Sequence, residues 1–382
     1  MFERRLWRNL DYPLLAAVIS LMVFGIVIIG SATRSGDASA DPLRYVKRQI
    51  IFAALGLATI FVVLLFDYGF FSRLANVLYA ANLLGLLVVL GIGRTVMGGQ
   101  RWIDLGLFRL QPSEIGKVLM IVTLASFLKR REGRLSRPPD LVPAFIYVAV
   151  PMVLILRQPD LGTSLVFAAI LFGMLYMAGA RGRHLAVIAG TGLTVITTIL
   201  VLHFQYAIDL PLVRQFFKEY MMKRLAVFID PQIDPLNAGY HIIQSKIAVG
   251  SGGLLGKGLF AGTQNQLNFL PEQHTDFIFA VVGEELGFVG AIALLGLYFF
   301  IIFRGLQIMA NAKDTHGVLL AAGVLTMLTF HVLVNVGMVA GIMPVTGIPL
   351  PFMSYGGSSL MANSAAIGVL LNVGMRRQKI LF

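Results

Sequence analysis

Three ionisable residues lie inside or next to long apolar runs, where a charge is usually kept for its chemistry. Asp276 immediately precedes one run, while Glu114 and Lys117 lie near the start of another. Charged side chains are costly in a membrane and mark functional sites there. Glu114 and Lys117 share a helix face, so they predict either a self-neutralising ion pair or the polar lining of a cavity. The alternative role for Asp276 is structural, because a carboxylate at the N-terminus of a helix is stabilised by the helix dipole.

Further charges lie in the short segments between apolar runs. Arg157 and Asp160 flank a Gln-Pro connection between two apolar runs. Arg101 lies in the preceding loop on the same side of the membrane. A tight connection needs only proline and glycine, so charges beside it indicate either a structural ion pair or a ligand site. Together with Lys117 and Asp276, these residues suit a lipid that carries phosphates. Transport, polymer synthesis and scaffolding all remain open at this point.

A glycine-rich stretch at 250–262 contains Lys257 and partly resembles a phosphate-binding loop. It fails the pattern at two positions, because Ser251 replaces the first glycine and Gly258 replaces the serine or threonine that binds magnesium. A flexible or tightly turning loop is the simpler interpretation. The alternative is that backbone amides and Lys257 approach a phosphate.

Two acids, a histidine and an asparagine lie deeper inside apolar runs. Glu284 and Glu285 are eight and nine residues beyond Asp276, about 12 Å along a helix. Adjacent acids cannot share one narrow face, so at least one is expected to meet another element. His331 and Asn335 share a helix face, and packing is the favoured interpretation for both.

The composition indicates an integral membrane protein. Of 382 residues, 57% are hydrophobic and 13% are charged, with a mean hydropathy of +0.80, whereas soluble domains average about 25% charged residues. These values exclude an ordinary cytosolic enzyme, a disordered chain and a disulfide-stapled domain. Cysteine is absent, which excludes thiolate chemistry. The net charge of +12 is better explained by membrane orientation and anionic lipids than by nucleic acid, so no nucleic-acid partner is expected.

Ten continuous apolar runs predict an all-α, polytopic integral membrane protein with about ten transmembrane helices. The runs are continuous rather than alternating, which argues against a β-barrel. They lie at 12–30, 49–66, 75–92, 114–128, 141–156, 161–178, 184–201, 277–303, 318–341 and 351–374. The first exceeds a typical signal-peptide core, so we interpret it as a retained helix.

Loop charges predict the orientation. Short loops on the side of the N-terminus carry about twice as many lysines and arginines as those on the other side, which places both termini in the cytoplasm. Residues 203–275 then form a large extracytoplasmic loop between helices seven and eight. Within it, 212–228 is typical of an amphipathic interfacial helix, and 240–249 predicts a second short helix.

Several motifs resemble those of the SEDS family (shape, elongation, division and sporulation). They are LPEQHTDFIFA at 270–280, GEELG at 283–287, QPSE at 111–114, QPDLGT at 158–163 and SYGGS at 354–358. Other stretches are most similar to the elongation branch, and they are DPLNAGYH at 234–241, SK at 245–246, NVGM at 335–338 and PVTGIPLP at 344–351. The division branch is the near alternative. The resemblance covers essentially the whole chain and implies a single transmembrane domain over 1–382.

The resemblance implies a peptidoglycan glycosyltransferase of the bacterial inner membrane, with its active site facing outward. Such an enzyme polymerises lipid II for cell-wall elongation and rod shape, with a class B penicillin-binding protein and elongation-complex membrane proteins as partners. The essential aspartate of the family corresponds to Asp276. The family's glutamate and lysine on the fourth predicted transmembrane helix correspond to Glu114 and Lys117, and the aspartate of its QPD motif corresponds to Asp160. We predict that all three bind substrate.

The residue types suit that reaction. A sugar 4-hydroxyl attacks the anomeric carbon of an α-linked lipid diphosphate and forms a β-1,4 bond with inversion, which requires a general base, here Asp276. The leaving diphosphate needs charge neutralisation, for which Lys117, Arg101 and Arg157 are candidates, and Lys257 is a further predicted substrate contact. No spacing demands a cofactor, although carboxylates with a diphosphate would suit magnesium or manganese.

Two other functions are compatible with the same membrane-protein class. A lipid II flippase would contain a polar cavity between helices, lined by Glu284, Glu285 and His331. A scaffold of the elongation machinery would need no reactive site. Polymerisation requires only a site on the outer face, so glycan synthesis by the purified protein separates the enzyme from both alternatives.

Overall fold

The protein is helical apart from one small sheet. The computed structural model describes residues 7–34, 43–96, 99–104, 106, 109–206, 219–229, 232, 234, 238–267, 269–270 and 272–376. In chain order the helices are α1 (Tyr12–Ala32), α2 (Arg44–Leu65), α3 (Tyr68–Arg73), α4 (Ala75–Ile92), α5 (Pro112–Lys129), α6 (Pro138–Arg157), α7 (Leu161–Met177), α8 (Gly182–Tyr206), α9 (Glu219–Ile229), α10 (Ala238–Ser251), α11 (Thr263–Gln266), α12 (Ile278–Ala310), α13 (Thr315–Val339) and α14 (Gly357–Met375). The strands are β1 (Arg94–Val96), β2 (Gly99–Asp104) and β3 (Arg109–Leu110).

Each predicted apolar run overlaps one long helix, which confirms the all-α, polytopic prediction. Among the described residues, seven helices are long and apolar enough to cross a membrane, judged by length and composition, and they are α1, α2, α4, α6, α12, α13 and α14. The other three runs correspond to α5, α7 and α8. The last run begins later than predicted, at Gly357, because the proline- and glycine-containing stretch before it forms turns.

The connection between α4 and α5 forms an antiparallel sheet that the apolar pattern did not predict. Its order is β1-β2-β3, with Arg94 opposite Trp102 and Asp104 opposite Arg109. Arg101 on β2 donates through Nε to the carbonyl of Gln158, 3.1 Å away. This bond ties the sheet to the connection between α6 and α7.

Helices α13 and α14 form the centre of the bundle. In the apolar 18-residue segments of these two helices, 72% and 83% of the residues are buried, against 22–28% for α2, α4, α6 and α12. Small residues allow close packing in this centre. A Cβ at Gly56 of α2 would lie 2.6 Å from the Ser364 hydroxyl of α14, so only glycine fits there. The outer helices keep apolar side chains exposed, as a lipid environment requires.

Helix α12 is broken at Gly287, and the glycine-rich stretch packs against the break. Gly287 has φ 64° and ψ −162°, a backbone conformation that only glycine adopts readily. The amides of Lys257 and Gly258 donate to the carbonyls of Glu284 and Glu285 at 3.0 and 2.9 Å. Two amides beyond the break donate in turn to carbonyls of the stretch, at 2.9 and 3.1 Å. The stretch therefore forms a tight turn whose amides bond to α12.

The long loop contains three of the described helices, α9, α10 and the single turn α11. Helix α9 occupies the second half of the predicted interfacial helix at 212–228, and the preceding residues 212–218 lie outside the described part of the chain. The helix predicted at 240–249 lies within α10. Helix α10 packs against α12, and this contact brings the loop towards the segment that contains Asp276.

Candidate active site

Asp276 lies in the turn before α12, and its backbone is held by two other segments. Asn335 of α13 donates through Nδ2 to the carbonyls of Asp276 and Ile348, at 2.9 and 2.8 Å. The Ser354 hydroxyl donates to the carbonyl of Thr275 at 2.6 Å. The N-cap of α12 is the following residue, Phe277, and it makes no side-chain capping bond. Asp276 is therefore fixed in place without acting as a hydrogen-bonding helix cap.

Arg224 of α9 lies close to the Asp276 carboxylate. A Cβ at Gly347 would lie 3.3 Å from Arg224 Nη1 and 3.4 Å from Asp276 Oδ2, so one point lies within 3.4 Å of both atoms. Gly347 has φ +73°, which favours glycine on backbone grounds as well. Arg224 Nη1 also donates to the carbonyl of Val345 at 3.3 Å. The guanidinium is thus held beside the carboxylate by the loop that precedes α14.

The surroundings of Asp276 alter its proton affinity. The side chain is half-buried, and burial raises the pKa of its carboxyl to about 6. Nearby positive charges on Arg224 and Arg101 lower this pKa, whereas Glu272 and Asp160 raise it. Among the described residues no donor hydrogen-bonds to the carboxylate. A carboxylate in this state can accept a proton near neutral pH.

Asp160 joins two of the sequence motifs. It is the N-cap of α7 and accepts from the amide of Thr163 at 3.1 Å and from its hydroxyl at 2.9 Å. Gln111, at the start of α5, donates to Asp160 Oδ2 at 3.1 Å. Arg101 Nη1 lies 3.9 Å from Asp160 Oδ1, and its other nitrogens donate to the carbonyls of Gln158 and Pro159. Asp160 therefore positions Arg101, which lines a small pocket together with Arg224.

Glu114 and Lys117 form a buried ion pair inside α5. Lys117 Nζ lies 2.8 Å from Glu114 Oε1 and 3.2 Å from Nε2 of His331, and all three side chains are buried. His331 was expected to be a packing residue, but it is also the third member of this polar cluster. The pair lies one helical turn beyond Gln111, and therefore beneath the Asp160 contact.

The two remaining predicted substrate contacts are Arg157 and Lys257. Arg157 ends α6, is exposed and pairs with no carboxylate in the part of the chain that is described. Lys257 donates to Glu284 Oε1 and to the Thr263 hydroxyl, both at 2.7 Å. Lys257 therefore links the glycine-rich turn to Glu284 of α12 and to Thr263 of α11. The geometry brings together Asp276, Asp160 and Arg101, with Glu114 and Lys117 just beneath them.

Arg224 was missed as a site residue by the sequence analysis. It was one of several cations in a predicted interfacial helix, and nothing in that helix singles it out. The neighbouring His241 of α10 stacks on Phe277, with ring centroids 5.9 Å apart and an interplanar angle of 11°. Burial lowers the pKa of His241, and the charge of Arg224 lowers it further, which favours a neutral ring. Folding of the long loop is what brings Arg224 and His241 next to the turn that carries Asp276, and the sequence pattern of the loop does not show this.

The charged groups that act on Asp276 are two arginines, Arg224 and Arg101, and two carboxylates, Glu272 and Asp160. Within the described ranges no three His, Cys, Asp or Glu side chains are grouped to hold a metal ion. Two guanidinium groups close to a carboxylate with a raised pKa can bind an anionic leaving group while the carboxylate accepts a proton. This combination suits displacement of a phosphorylated leaving group by a hydroxyl nucleophile.

Comparisons with known proteins agree on one family. The family model for FtsW, RodA and SpoVE, described as a cell cycle protein, matches residues 12–379. The peptidoglycan glycosyltransferase MrdB of Escherichia coli strain K12 is 40% identical over 374 residues, which cover 97% of this chain and 95% of that protein.

Two solved structures are similar over nearly their whole length. A chain from a study of how a peptidoglycan synthase complex coordinates polymerization and crosslinking has a TM-score of 0.76 and 34% identity, covering 96% of this chain and 97% of that chain. The rod shape determining protein RodA of Thermus thermophilus has a TM-score of 0.69 and 32% identity, covering 97% and 98%.

Proposed function

The chain belongs to the FtsW, RodA and SpoVE family and is a multi-pass membrane peptidoglycan glycosyltransferase, and we propose that Asp276 is the general base with which it polymerises lipid II. The observation that carries this proposal is the pairing of a half-buried carboxylate, whose pKa is about 6, with the nearby Arg224 and Arg101. The expected product is a β-1,4 glycan for cell-wall elongation and rod shape. The structural likeness to a rod shape determining protein supports the elongation branch over the division branch.

The proposed reaction is a single displacement with inversion. The 4-hydroxyl of the acceptor sugar attacks the anomeric carbon of the donor and transfers its proton to a carboxylate oxygen of Asp276. The bond between the anomeric carbon and the diphosphate oxygen breaks, and its electron pair leaves with undecaprenyl diphosphate. Arg224 and Arg101 neutralise the charge of that leaving group. Asp160 supports the step by holding Arg101.

The other predicted substrate contacts have different support. Glu114 and Lys117 lie beneath the site, and we propose that Lys117 adds positive charge while Glu114 and His331 hold it. The exposed Arg157 remains a proposed contact of the lipid diphosphate. The contacts of Lys257 support a structural role in the turn against α12, and substrate binding by Lys257 has no support from its surroundings.

A divalent cation is a separate proposal. Among the described residues the donors around Asp276 do not group into a metal site, so we propose that magnesium or manganese arrives with the diphosphate of the substrate. Activity that is lost in a chelator and restored by one of these ions would support this proposal. Unchanged activity in the chelator would leave the arginines as the source of charge neutralisation.

The proposed setting is the bacterial inner membrane, with both termini in the cytoplasm and Asp276 on the outer face. The similarity to a chain of a complex that couples polymerization and crosslinking supports a crosslinking partner, which we propose to be a class B penicillin-binding protein of the elongation complex. A flippase is not favoured, because Glu284 and Glu285 are bonded to the turn at 257–265 and His331 contacts Lys117.

Purified protein and labelled lipid II test the catalytic proposal. We expect a ladder of glycan chains that penicillin does not block, and we expect the class B partner to increase its yield. Asp276→Ala is expected to abolish the ladder, whereas Asp104→Ala, an exposed carboxylate of β2, keeps it. Both variants should elute as folded protein. A normal ladder from Asp276→Ala would overturn the assignment.

A further inference from the structure

A basic pocket lies at the end of the bundle away from Asp276. It has a volume of about 500 Å³ and is lined by Phe127, Arg130, Arg131, Arg134 and Asp140. Helix α5 begins at the Asp160 contact and ends beside this pocket, and its 18 residues span about 27 Å. The pocket and the proposed active site therefore lie on opposite membrane faces.

The arginines of the pocket carry unbalanced charge. The neighbouring Lys129 is paired with Asp314 at 3.2 Å. Within the described residues, Arg130, Arg131 and Arg134 form no ion pair with any carboxylate. The pocket's own carboxylate, Asp140, accepts the backbone amide of Arg137 at 3.1 Å. A net positive charge thus faces an open space large enough for a phosphate-containing group.

A stack of aromatic rings fixes one of these arginines. The Arg131 guanidinium lies 4.6 Å from the ring centre of Phe127, which stacks on Tyr147 of α6 at 4.6 Å. Tyr147 stacks in turn on Tyr79 of α4 at 4.1 Å. The three rings come from three helices, so they hold the guanidinium in place at little cost in side-chain entropy on binding.

Helix α6 also has an apolar, exposed face. Val142, Ile146, Val150 and Val153 are exposed and lie at intervals of four, four and three residues, which places them on one side of the helix. This stripe begins within one turn of Asp140. Val142 lies about 200° around the helix from Asp140, so this stripe is a separate apolar surface of α6 and not part of the pocket lining.

We propose that this pocket binds the head group of an anionic phospholipid, with a preference for a lipid that has two phosphates. Three arginines without carboxylate partners suit two phosphates better than one. The general bias of lysine and arginine towards the cytoplasmic face explains why arginines lie here. It does not explain their lack of ion pairs or the ring stack beneath Arg131. Basic pockets between transmembrane helices bind such lipids in other membrane proteins.

A lipid titration of the full-length protein tests the proposal. Delipidated protein in detergent is titrated with cardiolipin, phosphatidylglycerol or phosphatidylcholine, and bound lipid is counted by native mass spectrometry. We expect retention in the order cardiolipin, phosphatidylglycerol, phosphatidylcholine. The double variant Arg131→Gln and Arg134→Gln should bind cardiolipin roughly tenfold more weakly. The matched control Arg181→Gln and Arg183→Gln removes two exposed arginines from the same face, outside the pocket, and should stay within about twofold of the parent.

Three outcomes would overturn the proposal. Equal losses in the two double variants would mean general surface charge, and equal retention of the three lipids would mean no head-group recognition. A thermal shift with sodium pyrophosphate as large as that with cardiolipin would indicate a soluble anion instead of a lipid. The melting temperature without lipid shows whether each variant is folded, and Phe127→Leu, which removes the ring under Arg131 and keeps its charge, should also weaken cardiolipin binding.

Discussion

Asp276 lies two residues before α12, and Glu284 and Glu285 lie within its first turns, so one short segment carries two kinds of acid. Glu284 accepts hydrogen bonds from Lys257 at 2.7 Å and from the amide of Gln264 at 2.9 Å. Glu285 accepts from Ser31 at 2.5 Å and from Asn265 Nδ2 at 3.1 Å. Asp276 accepts no hydrogen bond from the described residues, and burial raises its pKa to about 6.

The difference separates an acid that accepts no hydrogen bond from the described residues from two acids that hold a turn in place. Hydrogen bonds stabilise a charged carboxylate and occupy its lone pairs, so Glu284 and Glu285 hold the turn at 252–265 against the break in α12. A carboxylate without such donors keeps its lone pairs available and binds a proton more tightly. Spacing within this segment does not distinguish these acids, whereas their surroundings do, and those surroundings support the proposal that Asp276 is the base.

The largest expected effect is the loss of polymerisation in Asp276→Asn. The asparagine keeps the shape of the side chain but accepts no proton, so the rate of glycan synthesis should fall about 10²- to 10⁴-fold. The measurement is the rate of lipid II consumption, with Asp104→Asn as the control. A fall of less than tenfold would contradict the role of Asp276 as general base.

The same variant should be at least as stable as the parent. A carboxyl whose pKa is higher in the folded state than its usual 3.8 binds protons preferentially when folded, so its contribution to stability is present at low pH and is lost as pH rises towards about 6. At pH 7.5 the ionised Asp276 therefore destabilises the fold, and asparagine removes that cost. A melting temperature below that of the parent would contradict this sign.

Glu284→Ala should have the opposite phenotype. It leaves Lys257 and the amide of Gln264 without their shared acceptor in a buried place, which costs about 2–4 kcal/mol of stability. We expect a lower melting temperature in detergent, with activity lost in proportion to unfolded protein. Lys257→Met in the same background should recover part of the stability. An unchanged melting temperature in Glu284→Ala would remove the contrast with Asp276.

Arg224→Gln should weaken the reaction through the leaving group. Loss of a charge-assisted contact to the diphosphate should lower kcat/KM about 10- to 100-fold. Arg94→Gln removes an exposed arginine from the sheet on the same face and should change kcat/KM less than twofold, as an order-of-magnitude bound. If both variants behave alike, Arg224 contributes only to the general charge of the outer face.

Much of the fold could be predicted, because an apolar run long enough to span a membrane must satisfy its backbone hydrogen bonds internally, and a helix does this. The small sheet at 94–110 escaped prediction, since its strands are two to six residues long and its pairing depends on the register between Arg94 and Trp102. The break at Gly287 also escaped, because the glycine-rich stretch that completes its hydrogen bonds lies some thirty residues earlier in the chain.

The sequence singled out candidate site residues that lie in or next to motifs, and it did not single out Arg224. Asp276, Asp160 and Arg101 lie in or next to stretches with unusual charges between apolar runs. Arg224 lies among several cations of α9, and only packing of the long loop brings it to Asp276. The predicted substrate contact of Lys257 stays a prediction. Its glycine-rich surroundings suggested an anion, yet Glu284 eight residues beyond Asp276 is its partner.

The smallest expected effect is a shift in the pH dependence of catalysis, and it tests most directly whether Asp276 is the titrating acid. A general base acts when deprotonated, so kcat/KM should be half-maximal near pH 6 and should fall about tenfold per pH unit below that value. The charge of Arg224 lowers the pKa of Asp276, so in Arg224→Gln the acid limb should move to higher pH. The charge of Glu272 raises that pKa, so Glu272→Gln should move the limb to lower pH. Glu284→Gln should leave the limb in place, because Glu284 contributes to the turn and not to the titration of Asp276. Opposite shifts in the first two variants require that the titrating group is the carboxylate between them, whereas an unmoved limb in both would assign the acid limb to another group.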